Sequence, residues 1–130
     1  MHACRLRSVS ALLLFSVVHC SATVLYVDLN STNPTPPYTN WMTAATKSQD
    51  AVDAANAGDQ VLVTDGVYAS GGRQGSAADV TNRVVVTNSV TVRSVNGPAV
   101  TSIQGYRVPG MISSTNAVRC ALLAGSSSSR

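Results

Sequence analysis

The stretch that decides the fold is Gln49–Tyr68, QDAVDAANAGDQVLVTDGVY. Its first half is rich in alanine, with Ala51, Val52 and Ala55 spaced to form one apolar stripe on a helix. Ser48 is placed to cap that helix, Asp50 falls in its first turn where a negative charge suits the dipole, and Gly58 stops it. The second half alternates, Val61-x-Val63, and then meets Asp65-Gly66, a turn pair, before Val67-Tyr68. A short helix therefore runs into short strands. The helical pattern extends over Met42–Ala57 at its widest.

Outward from there the chain reads as strand and turn. Strands are expected at Thr23–Leu29, Val61–Thr64, Val67–Tyr68, on both sides of Asn88-Ser89 within Val84–Val95, at Val100–Gln104 and at Ala117–Leu123. Asn30–Asn40 holds Pro34, Pro36 and Pro37 and is a loop, as is the glycine-rich Ala69–Asp79. Val61-Leu62-Val63-Thr64 is echoed by Val84-Val85-Val86-Thr87, 23 residues on. A period of that size suggests stacked coils. Asp65-Gly66 between apolar runs instead suggests a hairpin and a small antiparallel β-sandwich. The period alone leaves both open.

The segment Gln49–Tyr68 resembles the opening of right-handed parallel β-helix proteins of the pectate-lyase-like class. The matching residues are Ala51, Ala54, Ala55, Gly58, Asp59, Val61, Val63, Gly66 and Tyr68. Tyr26-Val27-Asp28 looks like the first strand of such proteins, and Val90–Ser94 with Gly97 and Ile103-Gln104-Gly105 looks like early coils. The resemblance spans residues 24–123. It implies an all-β fold: the start of a right-handed parallel β-helix with a short N-terminal capping helix, Val61 stacked over Val84 and Val63 over Val86. It also implies an uncovered last coil carrying Val118, Ala121 and Leu123, open to self-association.

Residues 1–22 read as a signal peptide: Arg5 and Arg7, an apolar run Val9–Val18, then Cys20-Ser21-Ala22, with cleavage after Ala22. Residues 23–123 form the β region and 124–130 a serine-rich low-complexity tail. The expected location is secreted or cell surface. With few coils for its class, the chain is expected to be a truncated piece of a longer adhesin-like or carbohydrate-binding protein.

Charge and composition narrow the function. The 130 residues carry a formal charge of +3, and removing the leader leaves seven basic and six acidic residues. No basic run supports nucleic-acid binding. The region after residue 22 contains neither His nor Glu, which removes Ser-His-Asp and Cys-His catalysis and His-ligated zinc. Cys120 is then alone and reads as a small buried hydrophobe. Asp50 and Asp53 share a helix face and read as solvated, too few oxygens for calcium. The Arg73, Arg83, Arg93, Arg107, Arg119 series reads as solubilising charge. Trp41 reads as a packing anchor before it reads as a sugar platform; Tyr38, Tyr68 and Tyr106 are scattered. No catalytic, cofactor or metal residue is assigned, and no cofactor is expected. The expected function is a non-catalytic secreted module, with extracellular polysaccharide as the candidate partner. The alternative is a part of a polysaccharide lyase or hydrolase whose catalytic coils lie elsewhere.

Overall fold

Val24–Val27 (β1) alternates half-buried and buried residues, as a strand with one face on a core must. This computed structural model describes residues 21–75, 80–111 and 116–124. The signal-peptide assignment falls on residues outside these, apart from Ser21 and Ala22, and so does the tail beyond Ala124. The helix α1 spans Ser48–Ala54, and the strands that follow are β2 (Gln60–Val63), β3 (Gly66–Tyr68), β4 (Arg73–Gln74), β5 (Thr81–Val86), β6 (Thr91–Ser94), β7 (Thr101–Ile103) and β8 (Val118–Leu123).

The strands make three small sheets, ordered β1-β2-β6, β3-β7 and β4-β5-β8. All pairs are parallel except β4 with β5, which is antiparallel, so the third sheet is mixed. The fold is mostly β with one α-helix, and the described residues close no barrel. Three small sheets around a shared core are compatible with the sandwich-like alternative, although the Asp65-Gly66 hairpin does not form. At Gly66 the chain turns from the first sheet into the second, and the Gly66 N–H donates to the Val100 carbonyl. Gly66 has φ +143°, a backbone conformation that favours glycine, whereas the Leu29 side-chain end that an added Cβ would meet could move aside.

The right-handed parallel β-helix is corrected. The described strands form separate two- and three-stranded sheets, one of them mixed, rather than a stack of repeated coils. The expected interior ladder is absent. Val61 pairs with Leu25 and Val92, while Val84 pairs with Ala121. The physical reason lies in the environments of the two valine runs. β2 has one face on the core and alternates in burial, whereas Val84, Val85 and Val86 are buried in succession, with α1 lying against β5. Similar local sequence serves two different positions, and strand propensity carries no register.

The helix obeys part of its expected pattern. Ala51, Val52 and Ala55 are buried, so the stripe faces the core. The capping assignment to Ser48 is corrected: Lys47 is the N-cap, it makes no side-chain cap bond, and Ser48 is a buried first helical residue. The helix ends at Ala54, and the wider span Met42–Ala57 begins instead with a separate 3-10 turn, Trp41–Thr43. Ala124, assigned from sequence to the tail, donates its N–H to the Val86 carbonyl and continues the β5–β8 ladder.

Candidate binding cleft

The loop after β1 is built by its polar side chains. The Asp28 carboxylate accepts the Asn30 N–H at 2.9 Å, an Asx turn that sends the chain away from the strand. The Thr35 hydroxyl donates to the Asn33 carbonyl at 3.1 Å, and the Thr35 N–H donates to the Thr43 carbonyl. Tyr38 then takes φ +62°, and its carbonyl accepts the Tyr26 N–H at 2.8 Å, tying the loop back to β1. Burial raises the Tyr38 phenol above its ordinary pKa, with a smaller contribution from the Asp50 charge.

Asn40 caps the 3-10 turn: its side-chain oxygen accepts the Thr43 N–H at 3.0 Å. That cap places Trp41 with its ring edge-on to Tyr26, centroids 4.4 Å apart at 62°. Trp41 is therefore the packing anchor expected from sequence. It is also 42% exposed. Between the loop and the turn lies an open cleft of about 570 Å³, walled by Asn30, Ser31, Asn33, Asn40, Trp41 and Met42 with Asp28 beside them. This volume lies within the ordinary small-ligand range of about 300–1,000 Å³. Among the described residues, Asp28 is the single ionisable one of the lining, and the buried Ser31 hydroxyl has no hydrogen-bond partner. A second, more apolar cavity of about 250 Å³ lies among Val63, Val92, Pro98, Thr101 and Ile103.

The remaining aromatic and acidic residues among those described are not brought together. Tyr68 is buried, its hydroxyl within hydrogen-bond distance of Thr64, and desolvation raises its pKa. Tyr106 is exposed and bridges to Val118. Asp53 accepts from Gln49 at 2.8 Å and pairs with Arg73; Asp65 accepts from Asn96 at 2.9 Å. Arg83 reaches the Gly71 and Gln104 carbonyls and so holds two loops in place, while Arg73 ties β4 to α1 through Asp53. Cys120, expected to be buried, is exposed on β8, where the strand covers the core only weakly.

Sequence reasoning found Trp41 but missed the asparagines and serine of the cleft wall. The signal available was their clustering on a proline-rich loop that ends at the single tryptophan. No family model, curated protein or solved structure matches the chain, so no known family underlies any assignment made from it.

Proposed function

We propose that the chain is an exported, non-catalytic β module that holds a neutral extracellular polysaccharide in the cleft beside Trp41. The observation that carries this reading is the pairing of a half-exposed indole with a wall of amide and hydroxyl groups. A pyranose offers an apolar C–H face and a ring of hydroxyls. Trp41 suits the first, and the Asn30 and Asn33 side chains suit the second. The lone charge, Asp28, is negative and disfavours uronates, so a neutral glycan fits better than an acidic one. Glycoside hydrolysis ordinarily uses two carboxyl groups flanking the bond, and the cleft lining contains one. That one already accepts the Asn30 N–H. Arg5, Arg7, the apolar run Val9–Val18 and Ala22 support export.

The single tryptophan makes the test specific, since its fluorescence reports only this cleft. Titration with cellohexaose or xylohexaose is expected to give a saturable emission change, and a galacturonate hexamer a weaker one. Asn33→Ala should weaken binding several-fold with the emission of the free protein unchanged. If neither neutral oligomer has an effect up to about 10 mM, a range that detects even millimolar affinity, the cleft is not a glycan site. Shortened oligomers detected by mass spectrometry would overturn the non-catalytic part of the reading.

A further inference from the structure

Asp59 immediately precedes β2 and is 5% exposed. One carboxylate oxygen accepts the Thr23 N–H at 2.8 Å, and the other accepts the Asn56 N–H at 2.8 Å. Neither partner is charged. Among the described residues the carboxylate has no cation, although buried charges are ordinarily paired. The residues hydrogen-bonded around it (Thr23, Asn56 and Thr91) carry no titratable side chain. Thr23 is held a second time, its carbonyl accepting the Gln60 N–H at 2.9 Å. Just before it, Ser21 and Ala22 are exposed and belong to no strand or helix, and β1 begins only at Val24.

We propose that Asp59 is the seat of a new N-terminus, created by proteolytic processing between Ala22 and Thr23. Water adds across that peptide bond in a peptidase. The C–N bond breaks, Ala22 leaves with a carboxylate, and the Thr23 nitrogen takes up a proton to become an ammonium. The donor that Asp59 already holds thereby becomes the missing cation, and a neutral hydrogen bond becomes a charge-assisted one. Processing then locks the first residue of the mature chain beside β2 and secures the β1–β2 register. This inference rests on the export reading for the identity of the cut, but not on the glycan cleft.

The seat is tested in vitro on the full chain with a site-specific protease sequence in place of residues 18–22, cut so that Thr23 becomes the first residue. Cutting is expected to raise Tm by about 5 °C, a shift readily resolved in a domain of this length. Acetylating the new α-amine, which keeps an N–H but removes the charge, should erase most of the gain. Asp59→Asn should melt at the same temperature cut or uncut. The paired ammonium titrates above the ordinary α-amine value of about 7.7–8.0. Its stabilisation is therefore full below that value and lost as pH rises through the higher one. At the acid end, the Thr23 and Asn56 N–H groups lower the Asp59 pKa, so its share is lost only as pH falls through that lowered value. Equal melting of cut and uncut chains, or a gain that survives acetylation, would overturn the seat. N-terminal sequencing of the secreted protein should begin at Thr23. A different start would overturn the processing site while leaving the in vitro pairing, and the glycan titration, to be judged separately.

Discussion

Two strand edges of this molecule are treated in opposite ways. At the β1 side, every outward backbone group in the middle of the strand finds a partner. The Tyr26 N–H goes to the Tyr38 carbonyl, and the Tyr26 carbonyl accepts from Ala45, whose own carbonyl accepts the Asp28 N–H. The first turn of α1 extends this sealing to β5. β4 pairs only with Thr81 and Asn82, and beyond its reach the Gln49 amide stands in for a strand. Its oxygen accepts the Val85 N–H at 2.7 Å and its nitrogen donates to the Val85 carbonyl at 3.3 Å. At the β8 side, among the described residues, the sheet ends. β8 pairs with β5 along its length, and Tyr106 bridges only Val118. Its residues are mostly exposed. An unpaired edge is a template for another chain, and a sealed one is not. The chain thus concentrates its core and its polar satisfaction in the region before residue 87.

The sharpest way to break this comparison is a matched pair of leucine deletions. Leu25 is 1% exposed in β1 and Leu123 is 78% exposed in β8. Leu25→Ala is expected to cost about 3 kcal/mol in urea unfolding, against less than about 0.5 kcal/mol for Leu123→Ala. Comparable losses would mean that β8 contributes to the core as much as β1.

Gln49→Leu comes next. It keeps the volume of the side chain but leaves the Val85 N–H and carbonyl buried without partners, an expected loss of about 2 kcal/mol. Hydrogen exchange should locate the damage at Val85 rather than across the molecule. A variant as stable as the parent would show that the amide is not what seals β5.

The smallest expected effect concerns association. Sedimentation at rising concentration should show self-association of the parent chain through β8, reduced in Leu123→Lys with little change in Tm. A parent that stays monomeric at high concentration would place the exposed β8 edge among harmless ones.

The positions of the helix and of most strands were legible in the sequence, because helix and strand periods are local, but β4 formed inside Ala69–Asp79, which reads as a loop. The Ala51-Val52-Ala55 stripe, the alternation of Val61 and Val63 and the break at Asn88-Ser89 each reappear within a few residues. Pairing was not legible. Val61 and Val84 sit in the same short motif, yet their partners are Val92 and Leu25 in one case and Ala121 in the other. The cleft was half legible: the lone Trp41 stood out, but no local pattern shows that Asn33 and Asn40 line the same cleft.

The sequence by itself determined that this is a strand-rich chain with one small-residue helix, because side-chain periodicity and turn chemistry act over a few residues. It also determined the shortage of catalytic groups after residue 22, since composition needs no fold to be read. Only the tertiary structure decided which strands meet, that Gln49 completes β5, that Cys120 and β8 face solvent, and that Asp59 holds Thr23. Those outcomes depend on contacts between residues far apart in the chain, where many registers satisfy the same local pattern. Burial and hydrogen-bond satisfaction of the whole core select one of them.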